Sequence, residues 1–283
     1  MAAKRRWSRT PLSFRIGSVI LAVHLIMALI GAVWTPFGYQ QIVTGEPLSG
    51  VSWEHLFGTD QLGRDVLSRV MYGAHIEILV SILGTVLGAA VGAAIGLLCG
   101  YLRGWIDESV MRFFETLISI PFLVLALLAV SMAGPGRSGN PVLVVLVIAF
   151  IFLPRVGRLA RAAALDIATR DYITAARLRG ERSWSIVRRE ILPNATSVLF
   201  VEFSLRAGYA PVLVGSLGFL GFGLRPPTPE WGLMISEYRI LIQIDPTVLL
   251  GPGLALATLV VGLNLCTEGL ARMLGRTFVV KAT

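Results

Sequence analysis

Apolar residues fill long uninterrupted stretches of this 283-residue chain, and polar residues gather in the intervals between them. Four runs, at residues 16–34, 76–102, 113–133 and 248–266, are long enough to cross a ~30 Å hydrocarbon core at ~1.5 Å per residue. They predict transmembrane helices. A fifth run at 195–220 is also long enough, but Glu202, Arg206 and Pro211 inside it must face protein or a water-filled path. The run from Pro141 to Leu153 is only about thirteen residues, a length shared by spans and buried segments. Pro154 lacks a donor and predicts a kink rather than an end, which extends this helix to about residue 159.

Charge arbitrates. With six spans and an internal N-terminus, nineteen Lys and Arg fall inside and five outside, with Arg206 within a span. That asymmetry satisfies the positive-inside rule, and omitting the short span would move the nine basic residues between Arg155 and Arg189 outside. Both termini are then expected in the cytoplasm. Lys4-Arg5-Arg6 before an apolar run imitates a secretory signal, but the run is long and no small-x-small cleavage site follows, so an uncleaved first span is expected.

The expected division is an N-terminal tail at 1–15, a transmembrane body at 16–272 and a C-terminal tail at 273–283. Within the body the spans lie at about 16–34, 76–102, 113–133, 141–159, 195–220 and 248–270. The longer connections are an external segment at 36–75, a cytoplasmic loop at 160–193 and an external loop at 221–247.

Composition agrees with a membrane protein: 55% of residues are hydrophobic and 15% charged, against about 25% charged in soluble domains. Net charge +8 would suggest nucleic acid in a soluble chain, but here topology accounts for the basic residues, and no nucleic-acid partner is expected. Cys99 and Cys266 both lie in apolar runs, which argues against a disulfide framework or thiolate metal site.

Four features carry candidate chemistry. Gly84, Gly88, Gly92, Gly96 and Gly100 recur every fourth residue and form one slanting groove on the second span, for static packing or for sliding during a conformational cycle. Glu202 and Arg206 share a helix face, either as a pair that neutralises its own burial or as part of a polar substrate path. The stretch from His55 to Arg69 offers His and Asp but no metal-ligand spacing, and reads as a turn at Gly63 leading into an interfacial helix with Asp65 and Arg69 paired four apart. The fourth feature is the basic loop. Asp171 to Arg179 reads as helix, Gly180 as a chain reversal and Ser183 as the cap of a short second helix. Trp184, Val187 and Ile191 make an apolar stripe there, and Pro193 ends it. Such a helix suits either a partner's groove or a lipid surface. Phosphate-loop, His-Glu-x-x-His and Gly-x-Ser-x-Gly motifs are missing, so the energy source is expected in another subunit.

Thr174-Ala175-Ala176, Gly180 and Ile191-Leu192-Pro193 resemble the Glu-Ala-Ala loop of ABC importer permeases, with Thr at 174 where the family has Glu. Gly58-Thr59-Asp60, Leu62-Gly63-Arg64-Asp65 and the following Val66 to Arg69 resemble the external signature of the second permease subunit in dipeptide, oligopeptide and nickel importers. The segments 217–224 and 226–232 and the ending Asn264 to Leu270 are similar to the same family, with Glu268 where Asp is common. The resemblance implies an all-α membrane protein of the type I ABC importer permease fold with six spans, in a bacterial inner membrane. It also implies a sister permease, two cytoplasmic ATPases that hold ATP and Mg, and an external substrate-binding protein. This chain itself would bind no cofactor and catalyse nothing. ATPase coupling would fall to Thr174, Ala175, Ala176, Gly180, Trp184, Val187, Ile191, Leu192 and Pro193. Cargo in such importers ranges over dipeptides, oligopeptides, nickel, glutathione, sugars and opines. A proton-driven secondary transporter using Glu202, or an intramembrane enzyme using a buried acid, are the rival readings.

Overall fold

The structure, a computed structural model, describes residues 11–281 except Pro135 and Ser138, and the side chains of 274–281 lie outside the description. The N-terminal basic cluster therefore lies outside the described residues. Helices account for the architecture: α1 (Leu12–Val33), α2 (Val66–Leu102), α3 (Trp105–Ser119), α4 (Phe122–Met132), α5 (Pro141–Ile167), α6 (Asp171–Leu178), α7 (Ser183–Ile186), α8 (Leu192–Phe219), α9 (Trp231–Tyr238) and α10 (Thr247–Lys281). Among the described residues the β-structure is two isolated bridges, Thr59 with Asp65 and Gly139 with Leu224. Five helices are apolar and long enough to cross a membrane, the fourth running unbroken from Ser183 to Phe219, and α3 with α4 makes a sixth when the bent pair is counted as one broken span.

The run at 113–133 is not one straight helix. α3 and α4 meet at 101°, because Pro121 forces Ile120 into extended backbone (φ −81°, ψ 131°) and cannot donate into the preceding turn. Pro154 behaves otherwise: α5 continues through it to Ile167.

α2 and α5 form the spine. A Cβ on Gly84 would lie 2.7 Å from Ile148, on Gly88 2.7 Å from the Ala149 carbonyl, on Gly92 2.5 Å from the Leu153 carbonyl and on Gly100 2.6 Å from the Arg161 carbonyl. Gly96 comes closer still to the Gly157 carbonyl. The glycine groove holds the backbone of α5, the contact that small residues allow where lipid removes the usual hydrophobic drive. Across the spine, Arg161 on α5 donates two bonds to Asp107 on α3, at 2.5 and 2.6 Å. Outward-facing Leu12, Val19, Val23, Ile26 and Leu29 leave α1 an apolar exposed face, as a lipid-contacting helix needs.

Candidate functional site

Two regions bring the chemistry-bearing residues together, one on the segment before α2 and one around α6 to α8.

In the first, Asp60 is the hub. Its Oδ2 accepts from Arg64 Nε at 2.7 Å and from Arg69 Nη1 at 2.6 Å, while Oδ1 accepts the backbone N–H groups of Leu62 and Arg64. Arg69 also donates to Tyr238 Oη at 3.0 Å and to Glu237 at 3.2 Å, which ties the segment to α9. Asp60 and Arg69 are wholly buried. Burial pushes the Asp60 carboxyl up, but the guanidiniums of Arg69 and Arg64 and the two backbone donors outweigh it and hold the group below its ordinary value. The loop geometry depends on Gly58 and Gly63, both in the left-handed region (φ 72° and 67°). Thr59 donates to the Glu46 carbonyl at 2.5 Å and accepts the Ser49 N–H at 3.0 Å.

The expected Asp65–Arg69 pair does not form. Asp65 is the N-cap of α2: its Oδ2 accepts from the Ser68 N–H at 2.7 Å and hydroxyl at 2.6 Å, and its Oδ1 bonds His55 Nδ1 at 2.9 Å. With both oxygens occupied, Arg69 turns inward to Asp60. Nor is there a separate interfacial helix, since the residues after Gly63 open directly into the 37-residue α2.

The second region corrects three further expectations. Ser183 is the first residue of α7 and caps nothing; Arg182 precedes it without a side-chain cap. Pro193 ends nothing either, because a π turn at Val187–Ile191 carries the helix into α8 with Pro193 in its first turn. There the missing N–H and the ring cost little, and the wider turn absorbs the mismatch. The apolar stripe splits: Val187 and Ile191 are buried with Ile173, Ala176 and Ile186 in this chain's own core, whereas Trp184 is 57% exposed. Thr174, Ala175, Gly180, Leu192 and Pro193 are exposed with it, and Gly180 makes the reversal at φ 75°.

Glu202 and Arg206 do pair, Arg206 Nε donating to Glu202 Oε1 at 2.7 Å. They line a cleft of about 390 Å³ that Arg155 and Arg158 also line. A second chamber of about 440 Å³ adjoins it, sharing Arg155 and Arg206 and adding Phe122, Phe152 and Tyr209. Arg155 and Arg158 entered the sequence reading only as topology charges; an Arg directly after a proline inside an apolar helix was the signal available.

Also missed was a pair of wholly buried acids, Glu77 on α2 and Glu230 before α9. Glu230 caps α9, accepting the N–H groups of Gly232 at 2.6 Å and Leu233 at 2.9 Å. Two carboxylates offer each other no donor, and neither Glu77 oxygen has a hydrogen-bond partner among the described residues. A lone acid at the head of an apolar run marks Glu77 in the sequence; nothing there pointed to Glu230.

Residues 92–280 match the family model of the binding-protein-dependent transport system inner membrane component. This chain belongs to that family. Among curated relatives it is 38% identical over 268 residues to the glutathione transport system permease protein GsiD of Salmonella typhimurium, covering 94% of this chain and 86% of that one. It is 32% identical over 255 residues to the dipeptide transport system permease protein DppC of Alkalihalophilus pseudofirmus, covering 90% and 83%. In fold it is similar to an inward-facing structure of the MetNI methionine ABC transporter, with TM-score 0.59 and 19% identity over 73% of this chain and 96% of that one. As a binding-protein-dependent inner membrane component, the chain is the non-catalytic membrane subunit of an ATP-driven importer. Membership decides against the enzymatic and proton-driven readings.

Proposed function

We propose that this permease pairs with a sister permease, moves small peptides or related polar solutes delivered by an external binding protein, and takes its drive from two ATPases seated on α6 and α7. Both termini and the 160–193 loop face the cytoplasm in this reading, as the charge bias requires. The observation that carries it is the division of labour in α6 and α7. Ile173, Ala176, Ile186, Val187 and Ile191 anchor the two short helices in the core, while Leu178 (84% exposed) and Trp184 (57%) stand outside it beside Thr174 and Ala175. A rigidly anchored helix pair that presents a large aromatic is suited to transmit motion from a partner. The relatives' printed cargoes, dipeptide and glutathione, support peptide transport.

The test is ATP-driven uptake of alanylphenylalanine by the complete importer in proteoliposomes. Trp184→Ala should weaken ATPase association by about 2 kcal/mol, roughly thirtyfold, as loss of a central interface Trp does. Full-rate uptake and unchanged ATPase association would defeat the coupling assignment.

A further inference from the structure

We propose that the double cleft between α4, α5 and α8 is an anion site that receives the carboxylate of the cargo in transit. Arg155 and Arg206 are its ligands, and the N-terminus of α4 stands in its wall. This rests on the importer reading and deepens it by naming a cargo group and the residues that meet it.

The first observation is a guanidinium without a counterion. Arg155 sits on α5, one of the helices apolar enough to cross a membrane, fourteen residues from its first residue and so roughly 20 Å along it, toward the end that leads to the basic loop. It is half-buried, and among the described residues none bonds or pairs with it. A charge on an apolar helix is costly to bury without a partner. Such a group is retained where a partner arrives from elsewhere. Arg206 lines the same two chambers, and Glu202 takes only its Nε. The charged groups lining the two chambers are Arg155, Arg158, Arg206 and Glu202, three cations against one anion. The cleft is therefore left positive.

The second observation is independent of those side chains. Phe122, a lining residue of the larger chamber, is the first residue of the eleven-residue α4, whose N-terminus has no side-chain cap. Its leading N–H groups and the positive end of its dipole favour an anion. They are available because of the 101° break; in a continuous helix they would be spent on the preceding turn.

A carboxylate matches this set better than a bare halide or a lone hydroxyl, since guanidinium groups bind its two oxygens in a planar, charge-assisted fork. Phe122, Phe152 and Tyr209 beside it make an apolar seat of about 440 Å³, the pairing of apolar wall and few polar groups found in small-molecule sites.

The test probes the site without presuming the natural cargo. In the complete importer, with Cys99→Ser and Cys266→Ser as background, Leu205→Cys and separately Tyr209→Cys place a thiol in the cleft wall. Reaction with anionic sulfonatoethyl methanethiosulfonate is compared with that of its cationic trimethylammonium analogue, each corrected for its rate with a free thiol, in phosphatidylcholine vesicles. The anionic reagent should react about tenfold faster. Arg155→Gln should bring the two rates together and Arg155→Lys should keep them apart. Alanylphenylalanine at millimolar concentration should slow the anionic reagent, and its C-terminal amide should not. Equal rates in the parent, a preference that survives Arg155→Gln, or an assembled complex in which neither thiol reacts because the sister subunit fills the cleft would each overturn the proposal. So would protection by phosphatidylglycerol in place of the peptide, which would assign the site to lipid phosphate. ATP-driven uptake by the parent reports on the importer reading separately: anion preference without uptake defeats that reading alone, and uptake without anion preference defeats the site alone.

Discussion

Asp60 holds two guanidiniums in a wholly buried place, so its removal strands charge rather than merely deleting a bond. Asp60→Asn should destabilise the protein by about 3–5 kcal/mol, read as a lowered melting temperature in detergent, whereas Leu62→Ala on the exposed side of the same loop should stay within about 0.5 kcal/mol. Glu230 makes a pH prediction of definite sign. Burial pushes its carboxyl from the usual 4.5 up to about 7, against the lowering pull of the Gly232 and Leu233 N–H groups and of the neighbouring Glu77 side chain. A folded pKa raised in this way favours the folded state fully below the unfolded pKa, and the benefit is lost as pH rises from about 4.5 through about 7. Melting temperature should therefore fall across that window, and Glu230→Gln should flatten the fall. Asp60 runs the other way and acts only below about 3.8, so the two windows do not overlap. At this scale the sequence was partly legible. It marked Asp60, Arg64 and Asp65 as a group, but the spacing of four proposed the wrong partner for Arg69, because a helix cap claims a carboxylate before any neighbour can. Glu230 was invisible, since its partner Glu77 is 153 residues away in sequence.

At the scale of elements, the glycine series of α2 faces the backbone of α5. Gly92→Ala should cost about 1–3 kcal/mol, because its Cβ would press on the Leu153 carbonyl at 2.5 Å and backbone yields poorly. Gly253→Ala in α10, where nothing lies within 4 Å of the added methyl, should instead stabilise by about 0.4–1 kcal/mol. Opposite signs in one thermal-melt series would separate close packing from helix propensity. Proline shows the limit of reading elements from sequence. Pro121 breaks its helix, Pro154 stays inside one, and Pro193 joins a helix's first turn. The ring chemistry is identical, and the difference lies in where each ring falls along its helix and in the surrounding packing that holds a bend, which no local pattern encodes.

Over the whole molecule, the long amphiphilic pattern predicts sidedness. Leu178→Cys should be labelled by an impermeant maleimide only from the face that the ATPases occupy, and Trp53→Cys only from the other face, both starting residues being highly exposed. Labelling of both from one side would overturn the orientation. Runs of apolar residues determined, without any coordinates, that this chain spans a membrane, since bilayer thickness acts on composition over about twenty residues at a time. Only the tertiary structure decided that Arg69 serves Asp60, that Glu77 meets Glu230, that Trp184 is left outside the core, and that a broken helix and two arginines share one cleft. Those outcomes depend on contacts between residues far apart in the chain, where geometry rather than spacing selects each partner.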